Sequence, residues 1–206
     1  TGMERAWEDI DWLQVNNQDR IVTDIIPANE LNLSNEHGNS LEAWDTFASY
    51  IAIREWVLAY FKIFRAWDIF GLYKLHWPAL SPSHNPPGFE PEGEYSIVLP
   101  AMREADVNDV HTYGPLDDKW TGTKRLGDLV IPALRGLGLT QPIMVTEVNG
   151  IDDATKEVNL DYADFCRYVA PLGVEAVYWF IWRGNPDQAA FNFPDSQIQR
   201  IKNYKE

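Results

Sequence analysis

Four short segments carry side chains able to do chemistry: Ala28-Asn29-Glu30, His111-Thr112-Tyr113, Thr146-Glu147 and Tyr178-Trp179, the last running on to Trp182. Each closes or lies within an apolar run. Two carboxyls can serve as general acid/base and nucleophile, a pairing that splits one hard displacement into two easier ones. His111-x-Tyr113 places a histidine and a tyrosine at the end of another strand, on the same side of a parallel sheet as the two glutamates. Tryptophan faces stack on flat apolar ligand surfaces. Plainer uses stay open: solvation for either glutamate, a hydrogen-bonded core pair for His111 and Tyr113, wall packing for Trp179 and Trp182. Glu36 repeats the Asn-Glu dipeptide but lies farther into a loop, so it ranks below Glu30.

The elements that must position these groups alternate. Apolar residues at three- and four-residue spacing predict helices over residues 4–14, 41–66, 95–104, 124–137, 162–170 and 196–204. Short apolar runs predict strands over 20–28, 69–77, 107–113, 142–148 and 174–182. A Pro-rich stretch (Pro78, Pro82, Pro86, Pro87, Pro91) should be irregular, and Pro132 should kink its helix or mark a new start. Strands separated by helices imply parallel pairing with right-handed crossovers, the α/β class. Runs such as Ile21-Val-Thr-Asp-Ile-Ile26 and Val177-Tyr-Trp-Phe-Ile-Trp182 suit a sheet covered on both faces. No Gly-rich turn follows a strand, which weakens a dinucleotide reading. A closed barrel keeps its chemistry at the C-terminal strand ends, where the polar residues concentrate here.

Composition narrows the partners. With 17 basic against 31 acidic residues the 206-residue chain carries a formal charge of −14. That argues against nucleic acid and anionic membranes, which call for a basic surface. Nothing approaches the ~18–20 consecutive apolar residues of a membrane span, and the first residues lack the apolar core of a signal peptide. Cys166 stands alone, so neither an internal disulfide nor a cysteine-based zinc site is expected. The four histidines show no metal-ligand spacing, and no cofactor or metal is expected.

Asn29-Glu30, His111-x-Tyr113, Thr146-Glu147 and Tyr178-Trp179, in this order and spacing, resemble the second half of a clan A retaining glycoside hydrolase of the family 5 cellulase and mannanase type. The resemblance implies a parallel β/α barrel of TIM type, present as one partial-barrel domain over residues 1–206 that holds strands 4 to 8. It implies Glu30 as acid/base and Glu147 as nucleophile, acting by double displacement on a neutral β-linked glycan. Asn29 would bind the 2-hydroxyl of the reacting sugar, His111 would contact the sugar and Tyr113 would hydrogen-bond the nucleophile. Trp179 would floor the reacting subsite, with Trp182 as the alternative; Trp77, Trp120 and Trp182 are candidates for outer subsites, with packing the plainer and preferred role for each. Extracellular action follows from the resemblance alone.

Such hydrolases hold their two carboxyls about 5–5.5 Å apart. Strands three spacings apart in a flat sheet would leave the two backbones ~14 Å apart, so the sheet must curve. Strands 1 to 3 have no counterpart, and a full barrel takes ~250 residues. Either a second polypeptide supplies them or copies of the chain associate through exposed edges. A catalytically silent carbohydrate-binding or scaffold fragment is the competing reading, and an unrelated α/β binding module a third.

Overall fold

The computed structural model describes residues 1–31, 47–80, 91–113, 125–149 and 162–179. Predicted features beyond these, including the helix over 196–204, Glu36, Trp120 and Trp182, lie outside the described residues. The described elements run α1 (Gly2–Asn16), β1 (Asp24–Ile25), α2 (Phe47–Trp67), β2 (Lys74–Trp77), α3 (Pro91–Glu104), β3 (Val107–Tyr113), a π-helical turn (Leu126–Val130), α4 (Ile131–Gly136), β4 (Ile143–Asn149), α5 (Tyr162–Val169), a 3-10 turn (Ala170–Leu172) and β5 (Val174–Trp179). The strands form one sheet in chain order, β1-β2-β3-β4-β5. The pairs β1/β2, β2/β3 and β4/β5 are parallel. Parallel neighbours in chain order with helices between them make a partial β/α barrel of TIM type, the expected fold class. Among the described residues no helix is long and apolar enough to cross a membrane.

The chain divides into two compact units, residues 1–109 with 134–142, and residues 110–133 with 143–206. In the first, Thr1 caps α1 through a capping box with Glu4. Ala6, Ile10 and Leu13 bury one face of α1 against the long helix α2. Gly2 is needed there, because a Cβ would lie 2.1 Å from the Trp56 carbonyl oxygen. α2 buries Tyr50, Ile53, Val57, Tyr60, Phe61 and Phe64, the stripe expected of a helix packed on two sides. Tyr60 stacks on Phe64 and donates to Asp9 at 2.7 Å. Tyr50 donates to the buried Glu94 of α3 at 3.3 Å.

Two predicted strands are shorter than their apolar runs. Residues 20–28 supply only Asp24–Ile25. The Asn17 side chain takes both backbone groups of Val22, at 2.9 and 2.8 Å, and Arg20 adopts a left-handed backbone (φ 54°). Pro27 lacks a donor and ends the run. Residues 69–77 pair only from Lys74. The Asp68 carboxylate accepts from the Leu72 and Tyr73 amides, both at 2.9 Å, and Gly71 supplies φ 61°. These side chains offer the backbone an alternative to the ladder. Pro91, expected in irregular chain, opens α3, where a missing N–H costs nothing.

In the second unit, Pro132 has the predicted effect on its helix. It lies just past a π-helical turn in which the Ile131 amide reaches back to the Leu126 carbonyl. Proline cannot donate to the carbonyl four residues earlier, so the ladder widens upstream of it. Gly127 lies under the Tyr168 ring, 2.5 Å from where a Cβ would sit, and the Tyr168 hydroxyl donates to Asp128. Phe165 and Val169 bury one face of α5. Gly173 (φ 79°) turns the chain into β5.

Candidate active site

The proposed site residues occupy strand ends in both units. In the first unit, Asn29 and Glu30 follow β1, two and three residues past Pro27, with the chain bending at Asn29. Asn29 is exposed. Glu30 is 8% exposed and has a left-handed backbone, φ 37°. A non-glycine residue there is uncommon, and such conformations cluster where function demands them. Trp77 ends β2 and is fully buried. It is therefore a core residue, which takes the packing alternative over the outer-subsite one.

The first unit also holds a cluster that reading the chain did not find. His76 of β2 is buried. Its Nδ1 lies 2.9 Å from Asp109 Oδ1 on β3, and its Nε2 lies 3.0 Å from Asp24 Oδ1 on β1. Burial pushes the imidazole pKa down, but the hydrogen bonds and charges of Asp109 and Asp24 outweigh it and hold the group above the usual histidine range. The available signal was an aspartate within each of two predicted strands, Asp24 in 20–28 and Asp109 in 107–113. Linking them to His76 requires the cross-strand register.

In the second unit three of the proposed residues come together. His111 and Tyr113 are two apart on β3, share a face, and meet edge-on with ring centroids 6.2 Å apart. The Tyr113 hydroxyl donates to Glu147 Oε2 on β4, and His111 Nδ1 lies 3.8 Å from the same oxygen. The His111 side chain is 3% exposed and that of Glu147 22%. Glu147 is thus held in place yet reachable from solvent.

A local irregularity aims it. Val145 pairs with Val177 and Val148 with Trp179, so three steps along β4 match two along β5. The extra residue falls at Thr146-Glu147. Such a bulge interrupts strict alternation and re-aims a side chain. Trp179 is the last residue of β5 and partners Val148. Its side chain, like the whole of Trp182, lies outside the described residues. Tyr178 beside it is 53% exposed.

Chemically, the arrangement around Glu147 suits a carboxylate that must stay aimed while presenting itself to a ligand. A phenol can donate to a carboxylate oxygen, and charge-assisted bonds of this kind are the strong ones.

No protein-family model and no curated protein matches the chain. Solved structures do. An endo-β-1,4-mannanase from Thermotoga petrophila matches with a TM-score of 0.57 at 17% identity, over 89% of this chain and 43% of that one. A family 5 (GH5-4) broad-specificity endoglucanase from Clostridium longisporum gives 0.56 at 13%, over 93% and 61%. A β-glucuronidase from an uncultured Clostridium species gives 0.55 at 11%, over 98% and 36%. The chain spans about half the length of the solved structures it matches. The likeness is one of fold: a partial β/α barrel of the kind that these glycoside hydrolases carry.

Proposed function

We propose that the chain is the catalytic half-barrel of a retaining glycoside hydrolase of clan A, family 5-like, acting on a neutral β-linked glycan. Glu147 attacks the anomeric carbon and forms a glycosyl-enzyme while Glu30 gives its proton to the departing oxygen. Glu30 then takes a proton from water, which displaces Glu147 and releases the sugar. Asn29 binds the 2-hydroxyl, His111 contacts the sugar, and Trp179 floors the subsite, with Trp182 as the alternative. The observation that carries this reading is the Tyr113 hydroxyl donating to Glu147 at a strand-end bulge, with His111 beside it. The fold neighbours, a mannanase and an endoglucanase among them, support the substrate class.

The test is turnover of aryl β-glycosides by the full chain. Glu147→Ala should lose activity, and added azide should restore it by attacking from the vacated face, giving an α-glycosyl azide. Wild-type turnover in Glu147→Ala refutes the nucleophile assignment.

The competing reading is a catalytically silent carbohydrate-binding or scaffold fragment. Oligosaccharide binding without turnover, unchanged in Glu30→Gln, would support it. Among the described residues β1 lies at the end of the sheet, and Ile21 and Ile26, which flank it, are 84% and 47% exposed. We propose that a complementary chain or a second copy pairs with that edge, and the oligomeric state in solution tests it.

A further inference from the structure

β1 is held to β2 by two register pairs, Asp24 with Lys74 and Ile25 with Leu75. Glu30 lies five residues beyond its end, past Pro27 and in a left-handed backbone. So short a strand is a weak anchor for a side chain that must be aimed. His76 adds a second anchor. Its ring bridges Asp24 on one side and Asp109 on the other, across the width of β2. The Asp109 side chain is fully buried and that of Asp24 is 44% exposed. The second Asp24 oxygen accepts from the Thr23 hydroxyl at 2.6 Å. An ionised carboxylate only accepts hydrogen bonds, so two of them facing both ring nitrogens require both nitrogens to carry protons.

We propose that His76 is a positioning residue: a charged imidazolium strut that ties β1, β2 and β3 together and fixes the segment from Asp24 to Glu30. Its bearing on catalysis rests on the reading of Glu30 as acid/base given above. Among the described residues, the charged groups facing the ring are Asp24 from β1 and Asp109 from β3. Lys74 of β2 acts on Asp24. A carboxylate at each end of the ring favours its charged form against the cost of burial.

The test is nitrogen NMR of the full-length chain as a function of pH. Both ring nitrogens of His76 should be protonated at neutral pH, and the amides of Ala28–Leu31 should shift with the same midpoint as the ring. Asp24→Asn, at a half-exposed position and so mild for folding, should lower both midpoints together by about one unit. A singly protonated ring at pH 6.5, or amides that ignore the ring's titration, overturns the proposal. Kinetics on an aryl β-glycoside then separates the two ideas. In Asp24→Asn the alkaline fall of kcat should move down with the His76 midpoint while KM stays constant. A kcat profile that stays fixed while the ring midpoint moves overturns the positioning role. Loss of all turnover in the wild type, with the amide titration intact, counts against the catalytic pair and still supports the strut.

Discussion

Tyr113→Phe is the most informative single change, because it deletes one oxygen atom and little else. The ring keeps its edge-on contact with His111, and only the hydroxyl that donates to Glu147 Oε2 is removed. Tyr113 is half-buried, so the phenylalanine ring adds no strain. A hydrogen bond to a charged acceptor contributes roughly 1.5–3 kcal/mol. If that bond holds the carboxylate in its attacking geometry, most of its energy is expressed in the transition state. At about 1.4 kcal/mol per factor of ten, kcat/KM should fall roughly 10- to 150-fold. His111 Nδ1, 3.8 Å from the same oxygen, can close in and compensate, which favours the lower part of that range. The assay is steady-state hydrolysis of an activated aryl β-glycoside, whose good leaving group needs little help from Glu30, so the rate reports on Glu147. The melting temperature should move by no more than a few degrees. A variant with wild-type kcat/KM and unchanged melting would refute the claim that this contact aims the nucleophile. An equal loss in melting and activity would reassign the hydroxyl to stability.

Other expectations follow from groups outside that contact. Asp68→Ala removes the acceptor for the Leu72 and Tyr73 amides. At this partly exposed site the loss should be about 1–2 kcal/mol, read as a melting decrease of roughly 2–8 °C; unchanged melting would mean water replaces the carboxylate at no cost. The raised pKa of His76 makes stability depend on pH with a definite sign. Its contribution is complete below the unfolded value of about 6.5 and is lost as pH rises through the higher folded value. Chemical denaturation across that interval should show stability falling with pH in the wild type. The fall should be absent in His76→Gln, and identical curves would exclude a charged His76.

The alternation of helix and strand could be read from the chain because strands covered on both faces need apolar side chains at nearly every position. Strand 107–113 has its predicted bounds, and β4 differs from its prediction by one residue at each end. The failures have a common origin. Asn17 and Asp68 draw nearby amides into local hydrogen bonds, and an apolar run such as 69–73 does not reveal that its backbone is already engaged. Ile69 and Phe70 are consequently 74% and 79% exposed. Of the candidate site, His111 and Tyr113 were legible as a same-face pair, since their spacing alone determines it. The bulge at Thr146-Glu147 was not, because it depends on how β4 registers against β5. The His76 cluster escaped for the same reason: its members lie 52 and 33 residues apart and meet only through strand pairing.

The slip at Thr146-Glu147 has a counterpart. Between Ile143 and Met144 the partner strand advances from Val174 to Ala176, so β5 carries an extra residue there. The two offsets cancel, and five steps separate Ile143 from Val148 just as five separate Val174 from Trp179. Deleting Thr146 would leave Glu147 as the one residue facing Tyr178, with Val148 still opposite Trp179 and the re-aiming of Glu147 lost. Deleting Glu175 would straighten the other end of the pair and leave the slip at Thr146-Glu147 in place. A deletion at either slip is thus absorbed where it falls: the tips stay in register, and only the aim of Glu147 depends on which strand is shortened.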